Sequence, residues 1–197
     1  MKALLLIDIQ NDFMPGGALP VNEGDQIVAP VNACMHDYPL IVATQDWHPV
    51  GHESFASAHA GAQPFSLINL HGLEQTFWPD HCIAGSQGAA LHAALDTSRI
   101  VAIFRKGMDK QIDSYSAFYD NGHRHNTQLA AYLQAYGVTE IDVAGLAADY
   151  CVYYSIQDAL AAGFRVTLLE KATRAIDAAD YAEKKAKLLK HPAFTLR

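Results

Sequence analysis

Four short apolar runs in this chain each lead directly to a side chain that can take part in chemistry. The first run leads to Asp8, and the second leads to Asp46 and His48. The third leads to Lys106, and the fourth leads through a Gly-Leu-Ala-Ala turn to Cys151. Such runs are typical of buried strands in a parallel sheet, whose carboxyl ends share one rim where ligands bind. The pattern predicts a hydrolytic site in which a cysteine nucleophile lies beside a metal ion.

Strand-like and helix-like segments alternate along the chain, which predicts an α/β protein with a mostly parallel central sheet covered by helices on both faces. Strands are expected at about 3–8, 40–45, 100–105, 140–144 and 165–169, with a short terminal run at 194–196. Helices are expected at about 25–37 with Asp25 as N-cap, 89–95, 126–137 with Asn126 as cap, 151–163 and 178–190.

A long stretch between the second and third strands, about residues 46–88, has no periodicity and is rich in Gly, Pro, His and aromatic residues. Loops of this length in compact proteins are usually functional. The length of 197 residues predicts one domain, residues 1–197, with this stretch as a metal-binding loop.

Composition excludes several classes of partner. The formal net charge is −7 and no long basic run occurs, so binding to a nucleic-acid backbone is not expected. The apolar N-terminal stretch is interrupted by Asp8 and Asp12, so we expect neither a signal peptide nor a membrane span. Three cysteines are too few for a disulfide scaffold of this size, which favours reduced thiols and a cytoplasmic protein.

Cys151 lies where a helix is expected to begin after a strand and a turn. A helix N-terminus has free N–H groups and a partial positive charge, so we expect the thiol pKa to fall below its reference of about 8.5. The same N–H groups could hold an oxyanion. The alternative is a buried structural cysteine, which is the interpretation we favour for Cys34 and Cys82.

Asp8 and Lys106 are the expected partners of Cys151. An aspartate at the end of an apolar strand is costly to bury unless it is paired, and it could serve as a general base and then as an acid. A lysine close by would stabilise the thiolate and keep the carboxylate ionised.

Asp46 and His48 are two potential metal ligands at i and i+2, on the same side of an extended segment. His81 is the best candidate for a third ligand, and His52 is a weaker one. One carboxylate and two imidazoles would leave coordination positions open, as in catalytic sites. The set suits zinc, iron or manganese.

Six motifs occur in order over nearly the whole chain: DIQNDF from residue 8, QDWHP from 45, FWPDHC from 77, RKG from 105, DSYSAF from 113 and GLAADYC from 145. Together they resemble the nicotinamidase/pyrazinamidase branch of the isochorismatase-like cysteine hydrolases. The resemblance implies a three-layer α/β/α sandwich. It also implies hydrolysis of nicotinamide to nicotinate and ammonia through a cysteine thioester, action on pyrazinamide, and a place in NAD salvage.

The resemblance also implies roles for particular residues. The catalytic triad would be Asp8, Lys106 and Cys151. One divalent metal ion, most simply zinc, would be held by Asp46, His48 and His81. A non-proline cis peptide at Leu146–Ala147 would turn the Ala147 N–H toward the oxyanion, beside the Cys151 N–H. The aromatic residues around the pyridine ring would be Phe13, Trp78 and Tyr115.

Two features depart from the family pattern, and other functions stay open. Ala148 stands where the family usually has threonine, and the segment after Arg174 is short. One alternative is a sibling hydrolase that acts on another small amide or an N-carbamoyl compound; another is a non-catalytic module that binds nicotinamide or metal. A nucleotide-binding protein is not expected, because no glycine-rich turn follows the first strand. A small-molecule substrate is therefore expected, with no membrane partner, and a homo-oligomer is possible.

Overall fold

The computed structural model describes residues 1–197, which form eight strands and four α-helices. The strands are β1 (Lys2–Ile7), β2 (Ile41–Asp46), β3 (Leu67–Leu70), β4 (Leu73–Thr76), β5 (Ala102–Lys106), β6 (Glu140–Leu146), β7 (Arg165–Arg174) and β8 (Phe194–Leu196). The helices are α1 (Val28–Cys34), α2 (Leu129–Ala135), α3 (Cys151–Ala161) and α4 (Ala178–Leu188). No helix of the protein combines the length and the apolar character needed to cross a bilayer.

Six strands form one sheet in the order β5-β2-β1-β6-β7-β8, and every neighbouring pair is parallel. The chain moves outward from β1 to β5 on one side and then returns to build β6, β7 and β8 on the other side. The order therefore reverses between β1 and β6, which is the point where α/β sheets bind ligands beyond the carboxyl ends of their strands. The predicted parallel sheet is confirmed.

The two faces of the sheet pack against different layers. Leu4 and Leu6 of β1 belong to a buried cluster that includes side chains of α1. Leu5 and Ile7 point to the opposite face, into a cluster that includes side chains of α2, α3 and α4. Successive residues of a strand alternate between its faces, so the apolar part of β1, residues 3–7, serves both cores. The predicted three-layer α/β/α sandwich is confirmed.

Two predicted helices begin later than expected. The helix predicted from Asp25 is a 3₁₀ turn at Gly24–Ile27 followed by α1, so Asp25 does not cap it. Pro30 lies in the first turn of α1, where its missing N–H breaks no helical hydrogen bond. The helix predicted from Asn126 begins at Leu129, because the Asn126 side chain accepts the Gln128 N–H in a preceding turn.

The helix predicted at 89–95 is wrong, because that segment forms turns. Its backbone groups bond instead to the loop that follows β1. The Asn11 N–H donates to the Ala90 carbonyl at 3.0 Å, and the His92 N–H donates to the Ile9 carbonyl at 2.9 Å. Pairing with a distant segment replaces the local bonds of a helix.

The long stretch at 46–88 contains a hairpin that the sequence analysis missed. Strands β3 and β4 are antiparallel and pair Leu67 with Thr76. His71 and Gly72 form the turn with φ values of +51° and +87°. Positive φ at both turn residues is the requirement of a type I′ turn, a common two-residue hairpin turn, and a His-Gly pair is a weaker signal for it than Asn-Gly.

Candidate active site

Asp8, Lys106 and Cys151 meet at the carboxyl rim of the sheet. Asp8 follows β1, Lys106 ends β5, and Cys151 begins α3. The Lys106 Nζ lies 2.9 Å from Asp8 Oδ2 and 3.4 Å from Cys151 Sγ. All three residues are buried. The structure therefore places one buried ammonium group against both the acid and the thiol, as the topology predicted.

Lys106 is held by two further oxygen atoms. Its Nζ donates to Asp46 Oδ1 at 2.7 Å and to the Ser114 carbonyl at 2.8 Å. Burial alone would lower the pKa of Lys106, but the carboxylates of Asp46 and Asp8 raise that pKa well above its ordinary value. The ammonium group is therefore charged, and it connects the predicted triad to the predicted metal site.

The environment of Asp8 suits a group that exchanges a proton. The Thr44 hydroxyl donates to Asp8 Oδ1 at 2.6 Å, and the Asp8 N–H donates back to the Thr44 Oγ1 at 3.2 Å. Burial raises the pKa of Asp8, against the lowering effect of Lys106. A carboxylate whose pKa is raised is a stronger base than a solvated one, and it releases the proton it has taken less readily to water.

The prediction of a lowered pKa for Cys151 is wrong. The residue does begin α3, but burial raises the pKa of its thiol well above the ordinary value, and the charges of Asp8 and Asp46 add to that effect against Lys106. Desolvation of the thiolate therefore outweighs the helix N-terminus in this structure. The thiol is protonated at neutral pH, so its reaction needs a base, and Asp8 is adjacent.

Two backbone N–H groups beside the thiol are free to bind an anion. The Leu146–Ala147 peptide bond is cis, as the resemblance implied. Neither the Ala147 N–H nor the Cys151 N–H donates a hydrogen bond to another group of the chain. Ala148, in the turn between them, is held by its backbone, because its N–H donates to the Arg174 carbonyl at 2.8 Å.

Asp46, His48 and His81 form a buried group whose ligand atoms lie within 4.8 Å of one another. Asp46 Oδ2 is 3.6 Å from His48 Nε2 and 3.8 Å from His81 Nε2. The Nδ1 of each ring faces a backbone carbonyl, Gly107 for His48 and Pro79 for His81, which leaves Nε2 to a ligand. His48 Nε2 is buried without a hydrogen-bond partner. These donor atoms fit a divalent cation.

The charge of Asp46 also fits a metal ligand. Burial alone would raise the pKa of Asp46, but Lys106 and His48 lower that pKa well below its ordinary value. The residue is therefore ionised. Its backbone is held from both sides by the buried Gln10 side chain, which donates to the Asp46 carbonyl and accepts the Asp46 N–H, both at 2.8 Å. The sequence analysis missed the role of Gln10 in holding the Asp46 backbone. The signal for it was an amide side chain shortly after an apolar strand.

His52 is buried near a second group, with His48 and Asp113. Its Nδ1 accepts the Ser54 N–H at 3.1 Å, and burial lowers its pKa. The same Nδ1 lies 2.8 Å from the Ser54 Oγ, and the His52 Nε2, like the His48 Nε2, is buried without a hydrogen-bond partner. His52 therefore lies next to the predicted ligands, and its place as a weaker candidate ligand stays a prediction.

A pocket of about 310 Å³ opens beside the thiol and is lined mainly by apolar side chains. Its lining includes the three aromatic residues predicted to surround a ring, Phe13, Trp78 and Tyr115, and the sequence analysis did not identify Leu19, Asp113, Tyr150 and Ile176. Small-molecule sites have linings of this kind, mainly apolar with a few polar groups.

The missed hairpin contributes a further residue to this pocket. Gln75 of β4 donates from its Nε2 to Asp113 Oδ2 and to the Tyr115 hydroxyl, both at 3.0 Å. Gln75 thereby holds two lining residues in place without lining the pocket itself. Nothing in the local sequence marked Gln75, because its partners lie far along the chain.

Comparison with known proteins gives matches over nearly the whole chain. The profile of the isochorismatase domain matches residues 2–195. The nicotinamidase of Escherichia coli (strain K12) is 47% identical over 180 residues, which cover 89% of this chain and 84% of that protein. A solved nicotinamidase and pyrazinamidase from Acinetobacter baumanii has a TM-score of 0.95 at 38% identity and covers 99% of this chain and 94% of its own.

Two further solved structures contain informative ligands. PnC1 from L. infantum, in complex with nicotinate, has a TM-score of 0.87 at 39% identity, covering 100% of this chain and 92% of its own. The pyrazinamidase of Pyrococcus horikoshii, in complex with zinc, has a TM-score of 0.81 at 34% identity, covering 100% of this chain and 98% of its own.

Proposed function

The chain belongs to the isochorismatase domain family and is similar over most of its length to nicotinamidases, and from this membership we propose that it hydrolyses nicotinamide to nicotinate and ammonia. The predicted resemblance is confirmed. The chain is an amidohydrolase of pyridine carboxamides, which fits a role in NAD salvage. The observation that supports this function best is the contact of the Lys106 ammonium with both Asp8 and Cys151 beside an aromatic pocket.

We propose that Asp8, Lys106 and Cys151 perform the first half of the reaction. Asp8 takes the thiol proton while Lys106 stabilises the sulfur as it becomes negative. The sulfur attacks the carboxamide carbon, and the N–H groups of Ala147 and Cys151 hold the oxyanion. Asp8 gives its proton to the departing nitrogen, so the C–N bond breaks, ammonia leaves and a thioester forms.

The second half uses the same residues with water as the nucleophile. Asp8 removes a proton from the water, whose oxygen attacks the thioester carbon. The oxyanion forms again at the two N–H groups, and its collapse breaks the C–S bond. The sulfur regains a proton from Asp8, and nicotinate is released. One oxyanion donor is typically worth ~3 kcal/mol of transition-state stabilisation.

Asp46, His48 and His81 would hold one divalent ion beside the pocket, which Asp46 and His81 line. A bound ion supplies a Lewis acid that can orient and polarise a pyridine ring through its nitrogen. Zinc is our first choice, supported by the zinc complex of the Pyrococcus horikoshii relative, and iron or manganese would also suit one carboxylate and two imidazoles.

Phe13, Trp78 and Tyr115 are proposed to surround the ring of the substrate. Pyrazinamide has the same carboxamide on a ring of the same size, so we propose that it is also hydrolysed. The three cysteines are free thiols, which supports the proposal of a cytoplasmic enzyme that works as one unit over residues 1–197. No nucleic-acid or membrane partner is proposed.

The decisive experiment measures ammonia release from nicotinamide by metal-stripped protein, with and without added zinc, iron or manganese. Pyrazinamide and an N-carbamoyl compound are assayed in parallel. We expect release from both aromatic carboxamides, and restoration of activity by at least one metal. Faster release from the N-carbamoyl compound than from nicotinamide would instead support the sibling hydrolase.

A further inference from the structure

Lys184 of α4 reaches from outside the pocket to the residues that precede the nucleophile. Its Nζ donates to the Asp149 carbonyl and to Asp180 Oδ2, both at 2.7 Å. The same Nζ lies 4.6 Å from the centroid of the Tyr150 ring. An ammonium group has three donors, so two are used by oxygen atoms and the third is available to the face of the ring.

Tyr150 connects this contact to the pocket. Its ring lines the pocket and meets Trp78 edge-on with centroids 4.8 Å apart, and it lies 5.3 Å from the ring of Tyr115. Tyr150 also directly precedes Cys151. Any rotation of the Tyr150 ring would therefore displace the aromatic side chains that line the pocket.

Asp149 ties the same segment to the other end of α4. Its carboxylate accepts the Ile176 N–H at 3.0 Å and the Asp177 N–H at 2.7 Å, and it is buried. Ile176 is itself a lining residue. Hydrogen bonds of Asp149 therefore connect the turn before Cys151 to the β7–α4 connection. Lys184 adds a further hydrogen bond to this turn at the Asp149 carbonyl.

We propose that Lys184 is a positioning residue for the substrate ring, acting through Tyr150; the proposal rests on the proposed function. Lys184 is not itself a lining residue of the pocket and does not contact the triad. Its loss therefore weakens the wall that binds the ring without removing a group that takes part in the reaction. Loss of an interaction of that kind raises KM and leaves the rate of the chemical step unchanged.

The test compares K184M with K185M. Lys185 is the next residue of α4 and makes contacts of the same kinds away from the pocket, an ion pair with Glu170 at 2.6 Å and an approach to the Tyr181 ring at 5.2 Å. We expect K184M to raise KM for nicotinamide about tenfold and to change kcat by less than about twofold. K185M should leave both constants unchanged, and K184R, which keeps the charge, should restore most of the affinity.

Several results would overturn the proposal. One is an unchanged KM in K184M, and another is the same change in K185M. A third is a K184R variant as impaired as K184M. A K184M protein that no longer melts cooperatively above the assay temperature would also refute it, because Lys184 would then serve folding in general. Failure of the proposed function would look different: the wild-type protein itself would then release no ammonia from nicotinamide.

Discussion

The Cys151 sulfur depends on its neighbours for reactivity, because its burial favours the neutral thiol. We therefore expect C151A to lose ammonia release by a factor of ~10⁴ while the fold survives. C34A is the matched control: Cys34 is half-buried in α1, and its thiol donates only to the Val31 carbonyl. Ammonia release from nicotinamide measures activity, and circular dichroism measures the fold. Near-wild-type turnover by C151A would refute the thioester mechanism.

The pH dependence of thiol labelling tests the raised pKa of Cys151 directly. Below its pKa, the ionised fraction of a thiol grows tenfold with each pH unit, and the reagent attacks only that fraction. Because burial raises the pKa of Cys151 well above its ordinary value, labelling of metal-free protein by iodoacetamide should rise about tenfold per unit from about pH 7 to about pH 9. A rate that levels off near neutral pH would show that the thiolate already predominates there.

At the scale of elements, the junction of β1 and β6 is the tightest contact beneath the site. Gly145 of β6 pairs with Ile7 of β1, and its φ is +131°. A Cβ at Gly145 would lie 2.0 Å from the Ile7 carbonyl oxygen. The two strands that deliver Asp8 and Cys151 can approach this closely only because residue 145 has no side chain.

We expect G145A to lower the free energy of unfolding by at least ~3 kcal/mol, since backbone atoms must move to relieve the clash. G137A is the control, because Gly137 also has a positive φ, +69°, but a Cβ added there would have no atom within 4 Å. That substitution should cost only ~1 kcal/mol, from backbone conformation alone. Urea denaturation of both variants measures the difference, and equal losses would contradict the prediction.

The elements that the sequence predicted well are those whose signals are local. Leu4 to Ile7 form an apolar run, and Val152 and Ile156 repeat at helical spacing, so β1 and α3 were placed within one or two residues. The segment at 89–95 was misassigned because its hydrogen bonds go to residues 9–11. Local periodicity contains no information about a partner that far along the chain.

At the scale of the whole molecule, one lysine connects the proposed triad to the proposed metal group. Because Lys106 contacts both Asp8 and Asp46, removal of a divalent ion should disturb substrate binding and the local charge balance together. We expect treatment with a chelator to lower kcat/KM for nicotinamide strongly, and one added metal to restore it. Unchanged kinetics in fully metal-free protein would remove the proposed role of the ion.

Metal binding should also appear in a measurement without turnover. An ion that binds only the folded protein at about 100 times its Kd raises the free energy of unfolding by ~2.7 kcal/mol. Thermal melting of wild-type protein with increasing zinc should therefore show a concentration-dependent rise in Tm. D46N, which removes one charged ligand, should show a smaller rise, and an equal rise in both proteins would place the ion elsewhere.

The sequence predicted the placement of the proposed reacting groups better than their environment. Asp8, Lys106 and Cys151 were predicted to meet because the carboxyl ends of parallel strands share one rim. The direction of the Cys151 pKa was wrong, because burial and two nearby carboxylates depend on packing. Gln10 and Gln75 were missed for a similar reason, since their partners come from other parts of the fold.

Asp8 follows β1, Lys106 ends β5, and Cys151 begins the helix after β6, and β1 and β6 flank the point where the sheet reverses its order. Because β5 lies at one edge of the sheet, the strands β5, β2, β1 and β6 must all pair before the three residues can meet. Recovery of ammonia release during refolding would accordingly report the assembly of these four strands, in a way that a spectroscopic signal from helices alone does not.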